Sequence, residues 1–146
     1  MSLEDDAEIL RKLPLFCELE HEALRLLAFQ ATVIELIENQ SLFELGEAAD
    51  GAFVVVNGSV AITKKNEVSI PEFVAPAGAL IGRMALITDR DHTASAIVVE
   101  PCTLMKITRV SFQKILHEYP SSAARLRVVI AADLRDLTKE LNQISD

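Results

Sequence analysis

No run of about 18 apolar residues occurs in this chain, so no membrane-spanning helix is expected. Bases are scarce as well: 14 Lys and Arg stand against 22 Asp and Glu, for a net charge of −8. Neutralising a phosphate backbone takes clustered Lys and Arg, so direct nucleic-acid binding is disfavoured. The local basic spots are Lys64 with Lys65, and Arg125, Arg127 and Arg135, which read as a solvated helix face. Cysteine is limited to Cys17 and Cys102, without CxxC spacing; both read as small buried hydrophobes in a reducing compartment. There is no GxSxG, HExxH or P-loop, and His21, His92 and His117 have no metal-ligand spacing. A non-catalytic, metal-free protein is expected. The opening "MSLEDDAEIL" is acidic where a secretory signal is basic and then apolar, so a cytoplasmic location is expected.

What is present is one domain's worth of chain: 146 residues, 50% of them hydrophobic, enough for a real core. Its periodicity changes twice. Residues 1–30 form a helical lead-in, with apolar residues at Ile9, Leu10, Leu13, Leu24, Leu26, Leu27 and Phe29. Pro14 divides it, and a second helix is predicted from near Glu20. Residues 31–108 turn to β texture: "TVIELI", "AFVVV", "SVAIT", "VSIPEFV", "TASAIVV" and "TLMKIT" are short Val, Ile, Thr and Phe runs. Turn signals separate them at Glu38-Asn39-Gln40, Asp50-Gly51, Asn57-Gly58, Lys65-Asn66, Ala77-Gly78 and Glu100-Pro101. Asn57-Gly58 is the strongest hairpin signal, because both residues tolerate positive φ. Roughly six to eight strands at this spacing predict an antiparallel sandwich or barrel, mainly β with flanking helices.

Residues 109–146 return to helix. "VSFQKILHEY" places Phe112, Ile115, Leu116 and Tyr119 on one face. After Pro120 a second helix carries Leu126, Ile130, Leu134, Leu137, Leu141 and Ile144, at steps of 4, 4, 3, 4 and 3. From Ile130 that is a heptad seam, read as a homodimer interface with packing on the chain's own barrel as the alternative.

One stretch breaks the β texture: "IGRMALITDRDHTASA", Ile81 to Ala96. A glycine beside a short helical turn aims backbone N–H groups at an anion, and Arg83 and His92 flank that turn.

Helical lead-in, β-roll with one internal turn, and two closing helices resemble the cyclic-nucleotide-binding domain family of catabolite-activator-type regulators, kinase regulatory subunits and gated channels. The motifs that carry the resemblance are "LPLFCELEHEALRLLA", "LFELGEAADGAFVVVNGSVAI", "PAGALIGRMAL" and "HTASAIV", spread from about Leu13 to Leu141. The resemblance implies an antiparallel β-roll, jelly-roll-like, with a phosphate-binding cassette at 81–95. Its site residues are then Ile81, Gly82, Arg83, Met84, Ala85, Leu86, His92, Thr93, Ala94 and Ser95. In the family pattern a glutamate accepts from the ribose 2′-hydroxyl and an arginine pairs with the cyclic phosphate. Here Arg83 stands at the glutamate position and His92 at the arginine position.

Arginine only donates, so Arg83 cannot accept a hydroxyl proton, and an imidazole lacks both the fork and the fixed charge of a guanidinium. Losing two charge-assisted contacts weakens binding by roughly 3–6 kcal/mol, which moves a micromolar ligand towards millimolar. The cofactor expectation is accordingly a cyclic nucleotide or another small anionic ligand. A further expectation is that Arg83 pairs with Asp89 or Asp91 in the following loop. Three functions remain: a regulatory domain with weakened, altered or lost cyclic nucleotide binding; a ligand-independent dimerisation or protein-interaction module; and the effector domain of a transcription regulator without its output domain. No DNA-binding helix-turn-helix is expected, since the chain ends at Asp146 just past the long helix.

Overall fold

The computed structural model describes residues 3–13, 15–64, 73–128 and 131. Its elements in chain order are helix α1 (Leu3–Arg11), a 3-10 turn (Phe16–Glu18), helix α2 (His21–Gln30), and strands β1 (Thr32–Leu36), β2 (Ser41–Phe43), β3 (Ala48–Ala49) and β4 (Gly51–Thr63). Then come β5 (Phe73–Ala75), β6 (Leu80–Ile81), a second 3-10 turn (Arg83–Leu86), β7 (Arg90–Asp91), β8 (Ser95–Thr108) and helix α3 (Arg109–Glu118). Helical conformation continues over 120–128. The antiparallel β-roll with flanking helices is the architecture expected.

The two long strands, β4 and β8, pair antiparallel along their whole length, from Gly51 opposite Thr108 to Thr63 opposite Ser95. β1 and β2 add to β8, β5 and β6 add to β4, and β3 pairs with β7 in a separate two-stranded ribbon. Side chains alternate across a strand, and here both sides are buried. Ala52, Val54, Met105 and Ile107 face the helices, whereas Phe53, Val55 and Leu104 face the interior of the roll. That two-sided burial is why "AFVVV" reads as a continuous apolar run rather than an alternating one.

Asn57-Gly58 and Glu100-Pro101 are not turns between strands. Both lie inside single strands, and they face each other where the β4–β8 register shifts three times. The pair of long strands bends there as one unit, as bulges do. Gly58 has φ +87°, and a Cβ on it would collide with the Pro101 carbonyl oxygen and sit 2.8 Å from Cys102 Sγ. Asn57 Oδ1 accepts from Thr103 N at 3.0 Å, and Ser59 Oγ donates to Glu100 Oε1 at 3.2 Å. The residues that signalled hairpins are therefore bend residues. The turn at 65–66 and most of "VSIPEFV" lie outside the described residues; its end forms β5.

The helices cover one face. Leu10, Leu13, Leu24, Leu27, Phe112 and Ile115 join one buried cluster, and Phe16 meets Phe112 edge-on at 5.7 Å. Phe29, although part of the apolar pattern, is 76% exposed, because α2 buries the face of Leu24, Leu27 and Ala28 instead. The 120–128 segment folds back on the lead-in. Ser122 Oγ accepts from Glu20 N at 3.2 Å, and Arg125 Nη2 donates to Glu18 O at 3.0 Å. Arg125 is exposed but tied to backbone, unlike the freely solvated face expected for it.

Two expectations need correction. Leu126 is fully buried in the chain's own helical cluster, so it is not a seam residue presented to a second copy. Ile130, Leu134, Leu137, Leu141 and Ile144 lie outside the described residues. Cys17 is exposed, not buried, while Cys102 is buried and its Sγ contacts the carbonyls of Ser59 and Glu100. Burial pushes the Cys102 thiol pKa up, with the Glu100 charge adding and the Ser59 carbonyl bond opposing. Such a thiol is inert.

Candidate functional site

The stretch singled out in the sequence wraps around a cavity of about 400 Å³. Gly82 enters it in the left-handed region, φ +77° and ψ +33°, a conformation that glycine adopts at no steric cost. The chain then tightens into the 3-10 turn, with Ala85 N donating to Gly82 O at 3.0 Å and Ile87 N to Met84 O at 3.1 Å. Ile81 and Leu86 anchor the turn on either side, Ile81 in the roll interior and Leu86 in the helical cluster. The turn residues between them are thus held by apolar neighbours packed into the two cores.

The opposite wall is the β3–β7 ribbon, with Ala48 opposite Asp91 and Ala49 opposite Arg90. Backbone bonds continue the ladder past the strand: His92 N donates to Glu47 O at 2.7 Å, and Gly46 N to His92 O at 2.9 Å. Of the ten expected cassette residues, Gly82, Arg83, Met84, Ala85, His92 and Thr93 line the cavity. Ser95 is buried beneath it and its hydroxyl accepts from Leu45 N at 2.9 Å, which makes it a structural prop. Ala94 is half-buried.

Four lining residues were not among the ten named site residues: Ala49 and Leu80, which lie before the 81–95 cassette, and Arg90 and Asp91, which lie within it. Arg90 is the consequential one. Its signal was present in the sequence, because in an extended segment residues 90 and 92 share a face.

His92 does not reach into the cavity as a free cation would. Its ring stacks on Phe43, centroids 3.7 Å apart and planes within 6°, and Phe43 stacks in turn on Phe53. Burial lowers its pKa below the ordinary histidine value; the charges of Lys106 and Arg90 push the same way, while Glu47 and Asp50 oppose. The imidazole is a neutral wall plate at pH 7.

A second arginine ties the turn to the helices. Arg109, at the start of α3, donates from Nη1 to the carbonyls of Ala49, Ala85 and Thr88 at 3.1–3.2 Å. Its Nη2 lies 3.5 Å from Asp89, one of the two carboxylates expected beside Arg83, and its own N–H donates to Asp50 O at 2.7 Å. Lys106 Nζ pairs with Asp50 at 2.9 Å and holds that carboxyl below the usual range. Among the described residues no three His, Cys, Asp or Glu side chains gather as a metal site, and no helix is long and apolar enough to cross a membrane.

Comparison with known proteins bears on this geometry. A family model described as "Cyclic nucleotide-binding domain" matches residues 33–119, more than half of the chain. A cyclic AMP receptor protein of Thermus thermophilus is 26% identical over 110 residues; the match covers 74% of this chain, which spans about half (51%) of that protein's length. A cyclic nucleotide-binding-like protein of Brucella abortus superposes with a TM-score of 0.70 at 32% identity, over 77% of this chain and 98% of that one. The N-terminal domain of a transcriptional regulator from Streptomyces coelicolor superposes at 0.79 with 25% identity, covering 91% and 94% of the two chains.

Proposed function

The chain belongs to the cyclic nucleotide-binding domain family, and from that premise we propose that its cassette pocket senses a small anionic ligand, with conventional cyclic nucleotide binding weakened. It is a regulatory domain of the cyclic-nucleotide-binding type. The observation that carries the finer reading is the state of residue 92. Where the family pattern puts an arginine against the cyclic phosphate, His92 lies flat on Phe43 and is kept neutral by burial. Residue 83, where the pattern puts a hydroxyl acceptor, is the donor-only Arg83. The scaffold supports ligand binding nonetheless, since the left-handed glycine, the 3-10 turn and the open cavity are all in place. No catalytic step is part of this reading.

Titration with cyclic AMP and cyclic GMP, read as thermal stabilisation, tests it. A ligand at about a hundred times its dissociation constant adds roughly 2.7 kcal/mol. The native chain should respond only in the millimolar range, and the Arg83→Glu, His92→Arg double variant should gain response at micromolar cyclic AMP. Micromolar binding by the native chain would overturn the reading, and so would a double variant that gains nothing.

A further inference from the structure

We propose that the ring of His92 is a stacking platform for a planar heteroaromatic ring, so that the pocket takes a nucleobase at residue 92, where the family pattern holds a phosphate. The inference rests on the pocket being a ligand site, as argued above, and deepens that reading by naming the group that His92 receives. One face of the imidazole is already covered. Phe43 lies parallel to it, centroids 3.7 Å apart and planes within 6°, and Phe53 stacks on Phe43 at 5.8 Å. His92 lines the cavity, whereas Phe43 and Phe53 belong to the buried interior of the roll. The two phenylalanines thus stand behind the imidazole, and its other face is turned to the cavity. Backbone bonds fix this plate in place, His92 N donating to Glu47 O at 2.7 Å and Gly46 N to His92 O at 2.9 Å. A ring held in this way loses little further freedom when a second ring is laid on it.

The rest of the lining matches a flat group with a polar edge. Ala49, Leu80, Met84 and Ala85 supply apolar surface, and the cavity of about 400 Å³ lies in the range of small-molecule sites. In the same lining Arg90, Asp91 and Thr93 supply a cation, a carboxylate and a hydroxyl. Donors and acceptors are therefore mixed, as they are along the edge of a nucleobase, where ring nitrogens accept and an amino group donates. A hydrocarbon ring would leave those groups unmatched. An isolated phosphate would meet the Asp91 carboxylate and leave the apolar surface unused. Burial holds the imidazole neutral, so it offers a π face in place of the charge-assisted bond that an arginine would make there.

Titration followed by NMR, which reads millimolar affinities, tests this with three probes: cyclic AMP, adenosine without a phosphate, and ribose 5-phosphate without a base. The native chain should bind ribose 5-phosphate at least about fivefold more weakly than either of the others. The ring protons of His92 should move upfield as adenosine is added, because they come to lie over the face of a second ring. His92→Leu keeps an apolar side chain over Phe43 but offers no ring, and should weaken adenosine and cyclic AMP alike by roughly five- to a hundredfold. His92→Phe restores a ring and should recover most of that loss. Native-like circular dichroism of each variant separates binding loss from misfolding, and if His92→Leu does not fold, the His92 proton shift decides alone. Adenosine binding without an upfield shift, adenosine affinity unchanged in His92→Leu, or ribose 5-phosphate binding as tightly as cyclic AMP overturns the inference and leaves the pocket an anion site. Adenosine binding as tightly as cyclic AMP, with the upfield shift, keeps the inference and overturns the anionic ligand proposed above. Binding of none of the three overturns both.

Discussion

At His92 the pocket wall presents an aromatic ring, stacked on Phe43 and kept neutral by burial. The ring fills a flat slot over Phe43, in series with Phe53, and so completes the roll's interior cluster from the pocket side. Protonating it would place a charge on an apolar stack, and its folded pKa accordingly lies below 6.5. The sign of the pH effect follows. Between the folded pKa and 6.5 the unfolded chain binds the extra proton and the folded chain does not, so stability is present above that window and falls as pH drops through it. Melting temperatures of the native chain and the His92→Phe variant, compared from about pH 7.5 to pH 5, should diverge, the native chain losing more on acidification. A constant difference across that range would show that the ring titrates as freely in the fold as outside it.

Arg109 belongs to the scale of elements, because it joins three of them. One guanidinium nitrogen satisfies carbonyls from β3, from the 3-10 turn and from the loop after it, while the backbone of the same residue begins α3. The turn and α3 are thereby coupled through hydrogen bonds as well as through packing. Arg109→Met keeps the aliphatic stem but orphans those carbonyls; it should cost about 2–4 kcal/mol, since bonds to a charged donor contribute about 1.5–3 kcal/mol each and are not additive. Urea unfolding measures this, and a loss below about 0.5 kcal/mol would mean that solvent replaces the clamp. The sequence disclosed the neighbourhood of this clamp but not the clamp. Gly82 and the small residues at 93–96 announce a tight turn locally, and the helix containing Phe112 and Ile115 announces itself by period. A side chain that collects carbonyls from residues 49, 85 and 88 leaves no local trace. The same limit explains Asn57-Gly58 and Glu100-Pro101. A left-handed glycine is the shared signature of a hairpin and a bulge, and only the partner strand decides between them. Here β8 stays paired on both sides of the bend, so the chain continues.

At the scale of the whole molecule, the described part of the C-terminal apolar pattern ends in the chain's own core. Leu126 is enclosed by the chain's own helical cluster, next to the segment that Ser122 and Arg125 fasten to the lead-in. Its burial is intramolecular, so Leu126→Ala should cost about 2–5 kcal/mol at any protein concentration. The heptad spacing from Ile130 to Ile144 lies in sequence after that anchor, outside the described residues, and we propose it as a surface for a second copy. Leu137→Glu places a charge in the middle of that seam and tests the assignment. Sedimentation equilibrium should give a dimer for the native chain and a monomer for the variant, with the monomer still folded by circular dichroism. A native chain that sediments as a monomer, or a variant of unchanged mass, would overturn the proposal that the seam pairs two copies.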